Sequence, residues 1–401
     1  MATKLGFKKA IILTVSDPIP TKEVLLRLQK LLEALEALDQ DKVDLKSVAN
    51  IKDDLANKKL IKNNNLGIQV YTCCCIAEIL RLFAPDAPYT ASELSMIFKT
   101  IFGQLKRIGD GENPYFQQQS YLLKLLSEVR SIILITDLPD HETLIDNLFE
   151  VAYDLTKSSK FTENLLLHMS DILSEVISES ESISSKVLKL ILGVFLQNDT
   201  SALTGRAISN PGLVISIHIC EANVDRMLRQ VAKLFSETLY EGIEGEVLNS
   251  SEKLRKIHKV IVQLWKSVPE MLVAIMGLVD EELKADDQEI RVLATETVGS
   301  MIGSTEQINK VNFMINHKET WLLWLRKSMD ASPLVRCKWV EQISTILAGD
   351  FAVSSEHFNE LVTGYIKCLL DVEERVRFSA CRALDNLGSK TMLEKLCTKD
   401  V

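Results

Sequence analysis

Leu369-Leu370-Asp371, followed by Val376-Arg377, Ala380, Ala383-Leu384, Leu387 and Gly388, is the stretch that decides the fold. A Leu-rich helix stops at an Asp, a short turn follows, and Val-Arg opens a second apolar helix. The same grammar stands earlier in the chain. One copy has Asp330, then Val335-Arg336-Cys337, Val340, Ile343, Ile346 and Leu347. Another has Ile290-Arg291-Val292, then Ala294, Val298, Met301, Ile302 and Gly303. The three arginines are 45 and 41 residues apart. That period is the signature of a HEAT-type repeat, in which each unit is a pair of antiparallel helices. In such a unit the Asp sits in the turn. The Arg can hydrogen-bond turn carbonyls or a neighbouring Asp.

Outward from these copies, helical spacing covers almost the whole chain. Val24, Leu25, Leu28, Leu31, Leu32, Leu35 and Leu38 lie on one stripe. Leu122 to Ile133, Leu144 to Leu155, Leu165 to Val176, Val187 to Phe195 and Val224 to Phe235 repeat the i, i+3, i+4, i+7 pattern. Short polar links separate them, among them Asp137-Leu138-Pro139-Asp140 and Asn210-Pro211, a cap followed by a first-turn proline. Leu213, Ile215, Ile217 and Ile219 alternate as in a strand. A lone strand among helices would have no partner, so this segment reads as a buried helix. The expectation is an all-α, HEAT-repeat α-solenoid: one elongated array over residues 1–401. Residues 1–65 form an N-terminal helical cap, 66–250 divergent repeats and 251–401 clearer repeats. The last repeat ends without a polar cap, so the array is expected to continue past Val401.

Composition agrees. The chain has 401 residues, 46% of them apolar and 25% charged, which excludes general disorder. It holds 16 Gly and 9 Pro, where mean usage would give about 28 and about 20. Sheets need such residues at many turns, so the shortage favours helices. A net charge of −9 argues against a general nucleic-acid coat. The eight cysteines contain no C-x-x-C pair and read as reduced, buried thiols, as expected in a cytosolic or nuclear compartment. The apolar run after Lys8-Lys9 is too short for a signal peptide, and no window holds ~18 uninterrupted apolar residues.

Catalytic patterns are missing: there is no Gly-rich phosphate loop, G-x-S-x-G, H-E-x-x-H or EF-hand loop. The six histidines are scattered; His168 and His218 read as packing residues. No metal site is expected. Lys253, Arg255, Lys256 and Lys259 crowd one helix with Lys266, and Arg326, Lys327, Arg336, Lys338, Arg375, Arg377 and Arg382 follow. They are either a phosphate- or partner-binding stripe or solvated and structural cations. Trp321, Trp324 and Trp339 read as repeat core. One stretch differs from routine packing. A helix with Val70, Tyr71, Cys74, Ile79 and Leu82 runs into Ala84-Pro85-Asp86-Ala87-Pro88-Tyr89-Thr90. Two prolines end it and fix an extended corner. Thr90 and Glu93 form a capping box for the next helix. A stiff corner with exposed backbone and a tyrosine can dock a short peptide at low entropic cost.

Residues 73–90, from Cys73-Cys74-Cys75 through Ala84-Pro85-Asp86-Ala87-Pro88-Tyr89-Thr90, resemble the hallmark of the cohesin-associated sister-chromatid-cohesion family. That is the HEAT-repeat family named for precocious dissociation of sisters. Asp17-Pro18-Ile19-Pro20-Thr21, Asn113-Pro114-Tyr115-Phe116 and the run from Arg229 to Phe235 resemble it too, the last as in a fungal member. The resemblance covers most of the chain, and family members are much longer. It implies a nuclear, chromosome-associated, non-enzymatic regulator of cohesin that binds the kleisin subunit, supports acetylation of the ring by the cohesin acetyltransferase, and acts with the wings-apart-like releasing factor. Contact with chromatin would be indirect, through cohesin, with no membrane. It also implies peptide docking at Ala84, Pro85, Asp86, Ala87, Pro88 and Tyr89, and inositol hexakisphosphate binding in some members. Two rivals share the architecture: a karyopherin-like transport or adaptor scaffold, and a solenoid that binds DNA or phosphate directly.

Overall fold

In the computed structural model, residues 3–7, 9–11, 20–197, 210–244, 247–303, 313–348 and 355–386 are described. Their regular structure is helical. The single departure among them is an isolated parallel bridge between Thr3 and Val43. The motif residues Asp17, Pro18 and Ile19, and the repeat positions Leu387 and Gly388, lie outside the described residues. The chain divides into two compact units, one of Met1–Val194 with Thr200–Asn223, the other of Phe195–Asp199 with Val224–Val401.

In the first unit the helices are α1 (Thr21–Glu36), α2 (Leu45–Leu55), α3 (Lys58–Ile61), α4 (Leu66–Phe83), α5 (Ala91–Lys106), α6 (Phe116–Val129), α7 (His141–Leu155) and α8 (Glu163–Glu179); α9 (Ser185–Gln197) begins there, and α10 (Pro211–Ala222) completes it. Helices α1, α4, α6, α8 and α10 pack in succession as one row, while α5 and α7 pair in a second. Helix α1 buries one stripe. In α1, Val24, Leu28, Leu31, Leu32 and Leu35 are buried, and each is worth on the order of 2 kcal/mol of hydrophobic stabilisation. The alternating segment 213–219 is helix α10, with Ile215 and Ile219 fully buried at i, i+4 spacing. Asn210 caps it by accepting from the Gly212 amide, with Pro211 in its first turn.

Helix α4 is apolar nearly all round because α1, α2, α3, α5 and α6 surround it. Cys73, Cys74 and Cys75 are consecutive and all buried. Their Sγ–H groups find backbone acceptors where the packing offers them: Cys74 donates to Gln118 O and Cys75 to Leu28 O. Burial pushes the Cys73 thiol up to about 12, so it stays protonated. By length and composition this helix could cross a membrane; here it is the core of its unit. At its start Gly67 is required by close approach: a Cβ there would collide with the Tyr115 hydroxyl. The Asn113-Pro114-Tyr115 turn is thereby locked against α4.

In the second unit the helices are α11 (Val224–Glu244), α12 (Val247–Ser267), α13 (Met276–Lys284), α14 (Gln288–Gly303), α15 (Lys318–Leu325), α16 (Pro333–Ala348), α17 (Ser355–Leu369) and α18 (Glu374–Asn386). Helices α12, α14, α16 and α18 form one row and α13, α15 and α17 the other. This is the paired-helix stacking of an α-solenoid. Trp321, Trp324 and Trp339 fill its core, with ring centroids 5.7 and 5.5 Å apart in sequence. Gly364 makes room for them, since a Cβ there would lie 2.7 Å from the Trp339 ring.

Candidate functional site

Two kinds of helix ending define what this chain can present. The first is the repeat turn. Arg291 donates to Ala285 O and Asp286 O in its own turn, and to the Asp330 carboxylate at 3.1 and 3.2 Å. Arg336 donates to Asp330 O and Ala331 O, and to Asp371 at 2.7 and 2.9 Å. Arg377 binds Asp371 O and Val372 O in the same way. Each arginine thus closes its own turn, and the first two reach forward to the next aspartate. Burial works against the Asp371 carboxylate, but the Arg336 guanidinium and the Glu373 amide outweigh it, leaving Asp371 below the ordinary carboxylate range. Asp330 is lowered likewise: burial is opposed by the Ser332 amide, Arg291 and Lys327. Arg336, Lys327 and Arg377 are therefore structural cations, not a free phosphate stripe.

A second basic group is on α12, apart from Arg326, Arg375 and Arg382, which are exposed. Lys253, Arg255, Lys256 and Lys259 are all exposed there, and Lys256 is already paired to Glu252 at 2.7 Å. Beneath them lies a buried polar cluster that spacing alone did not reveal. His258 Nδ1 is 2.8 Å from Thr297 Oγ1, and its Nε2 is 3.1 Å from Glu282 Oε1, so it ties α12 to α13 and α14. His168 and His218 sit half-buried beside Ser127 and Asp171 instead. Among the described residues no group of His, Cys, Asp and Glu could hold a metal ion.

The second kind of ending is the corner. Pro85 forbids a further helical turn at Ala84, which adopts an extended ψ of 138°. The Ala84–Pro85 peptide is cis. Pro85 and Asp86 are exposed, and Ala84, Ala87 and Pro88 are half-exposed. Tyr89 differs from the presented aromatic that the sequence suggested. Its ring is buried, and its hydroxyl meets no hydrogen-bond partner, so it anchors the corner from below. The capping box forms as read: the Thr90 amide and hydroxyl both donate to Glu93, and Thr90 Oγ1 accepts from the Glu93 amide.

A charge network backs the corner on the side of α1. Arg81, in the last turn of α4, donates to Leu35 O and Leu38 O at the C-terminal end of α1, each at 3.1 Å. Glu78 is buried and holds Arg81 at 2.6 Å; the Tyr121 hydroxyl donates to the other Glu78 oxygen. Partial burial and the nearby Glu78 charge push Glu36 above the usual carboxylate range. Gln40, on the α1–α2 loop, donates to Ala84 O at 2.8 Å. The prolines exposed the corner to sequence reading; Gln40 and Arg81 were missed because their partners lie 43 to 46 residues away. Ala84, Pro85, Asp86, Ala87 and Pro88 make one contiguous surface, and the arrangement offers a preset shape with exposed backbone.

An all-α solenoid of paired helices with an exposed rigid corner is a scaffold of the HEAT-repeat class. The chain belongs to the family of sister chromatid cohesion protein PDS5, whose model matches residues 22–401. It is 38% identical to the sister chromatid cohesion protein PDS5 of Saccharomyces cerevisiae, over 94% of this chain and 29% of that one. It is 31% identical to the Schizosaccharomyces pombe protein pds5, over 97% of this chain and 32% of that one. The chain therefore spans about three-tenths of these curated relatives. A solved structure of a Pds5–Scc1 complex, described with its implications for cohesin function, matches at a TM-score of 0.85 and 36% identity, covering 96% of this chain and 58% of that one. Membership in this family decides against the transport-carrier reading of the architecture.

Proposed function

We propose that this chain is a non-enzymatic regulator of cohesin, working on chromosomes in the nucleus through protein–protein contacts. The observation that carries the reading is the likeness to the Pds5–Scc1 complex over 96% of the chain. We read Scc1 in that complex as the kleisin, and infer that this solenoid grips the kleisin. The corner Ala84–Tyr89 then receives short peptides from a wings-apart-like releasing factor, and recruitment of the cohesin acetyltransferase uses the same scaffold. Three features support docking at the corner: exposed Pro85 and Asp86, a buried Tyr89 anchor, and side-chain bracing that leaves little conformational entropy to lose on binding. No chemical step is involved. Inositol hexakisphosphate at Lys253, Arg255, Lys256 and Lys259 is the lesser proposal, and a steep salt dependence of its binding would mark it.

The test is a titration of the chain against a kleisin N-terminal segment and, separately, against a peptide array spanning the releasing factor, with wild type and Asp86→Lys. We expect both ligands to bind wild type, and the substitution to remove peptide binding while sparing the kleisin. A folded chain that binds neither ligand contradicts the proposal.

A further inference from the structure

We propose that the α1–α2 loop is a working wall of the docking corner: Gln40 is a positioning residue that sets the shape of Ala84–Tyr89, and the segment beginning at Thr3 steadies that loop. The inference rests on the docking reading above and goes beyond it by naming what presets the corner. The Ala84 carbonyl lies where α4 has ended, so no helical amide is available to it. Gln40 Nε2 supplies the donor at 2.8 Å. Among the described residues, this is the one hydrogen bond from outside the corner onto the backbone of residues 84–89.

The loop that carries Gln40 is itself built to hold still. Asp39 accepts from the Asp41 amide at 3.1 Å and from Lys42 Nζ at 2.8 Å, closing a tight turn around Gln40. The far side of the loop is strapped by the N-terminal segment. The Thr3 amide donates to Lys42 O at 2.6 Å and Thr3 O accepts from the Asp44 amide at 2.9 Å. The Leu5 amide donates to Ser47 Oγ at 3.0 Å, and Leu5 and Ile11 are buried. A line of contacts thus runs from Thr3 through Lys42 and Gln40 to Ala84. Arg81 makes the parallel connection from α4 to the end of α1.

Gln40 is exposed. Water competes for such a bond, so it adds little to the stability of the fold. Its effect falls on the pose of the six residues beyond it, because a peptide bound to a preset surface avoids the entropic cost of ordering that surface. Folding and docking therefore respond differently to its loss.

The experiment uses the full chain and the releasing-factor peptide that titrates wild type, in 0.5 M salt so that added charge is screened. Gln40→Met keeps the length and removes the donor; Gln40→Lys keeps a donor of similar reach. We expect Gln40→Met to weaken the peptide about five- to tenfold, through faster dissociation. Its thermal midpoint and kleisin affinity should match wild type. Gln40→Lys should recover most of the affinity, and Thr3→Pro, which removes the amide bonded to Lys42, should weaken it by about two- to threefold. Peptide binding by Gln40→Met within about twofold of wild type overturns the inference while leaving the docking reading intact. Equal losses in the Met and Lys variants overturn it as well. Failure of wild type to bind any peptide removes the docking reading, and this inference with it.

Discussion

The repeat turns at residues 285–291, 330–336 and 371–377 and the corner at 84–90 solve one problem in two ways. Each must satisfy the carbonyls where a helix ends. In the repeats the answer is written once and copied: an arginine one turn into the second helix closes its own turn, and Arg291 and Arg336 also take the next aspartate. At the corner every part occurs once: Gln40, Arg81, Glu78, Tyr121, Glu93. A copied contact secures stacking, because the same bond recurs between successive repeats, from Arg291 to Asp330 and from Arg336 to Asp371. A unique contact shapes one place. The difference suits the ladder to stability, and on the proposed function it leaves recognition to the corner.

Breaking the ladder should cost most. Arg336→Ala leaves the Asp371 carboxylate, whose side chain is 10% exposed, without its cation. We expect a loss of about 3 to 4 kcal/mol in urea unfolding of the chain. Arg336→Lys keeps the charge but cannot reach both the turn carbonyls and the carboxylate, so most of that loss should remain. Gly364→Ala drives a methyl group toward the Trp339 ring and should cost about 1 to 3 kcal/mol in the same measurement.

Acid sharpens the contrast. Asp330 and Asp371 have folded-state pKa values below the ordinary one. Their contribution is therefore complete above about pH 4 and is lost as the pH falls through the folded values. Glu36 is shifted the other way, so its protonation relieves the folded state as the pH falls. Thermal midpoints measured from pH 6 down to pH 2.5 should fall. Asp371→Asn should flatten that fall, and Glu36→Gln should steepen it. At the corner, Thr90→Ala removes the capping box and should cost about 1 kcal/mol by thermal unfolding.

Much of this organisation was legible. The Arg-Asp contacts follow from a repeat of 41 to 45 residues, because that spacing brings each Arg beside the next turn. Thr90 and Glu93 announce their cap by local spacing alone. The strand-like run at 213–219 resolves as helix because Ile215, Ser216 and Ile219 are buried while Ile217 is only half-buried, a helical pattern that strict alternation would not give. What stayed hidden depends on how helices lie against each other. The inward turn of Tyr89, the reach of Gln40 to Ala84 and the burial of His258 between Glu282 and Thr297 all involve packing that no local pattern encodes. Of the two readings the sequence left open for the basic residues, Arg336 and Lys327 follow the structural one: Arg336 takes Asp371 of the next turn and Lys327 takes Asp330 of its own.

The most direct test of the division between ladder and corner is to measure unfolding temperature and releasing-factor peptide affinity together, in Arg336→Ala and Asp86→Lys. The account predicts opposite outcomes. Arg336→Ala should unfold at a clearly lower temperature and, below that temperature, bind the peptide within about twofold of wild type. Asp86→Lys, at an exposed position, should keep the wild-type unfolding temperature and lose the peptide. Stability and affinity falling together in either variant would contradict it.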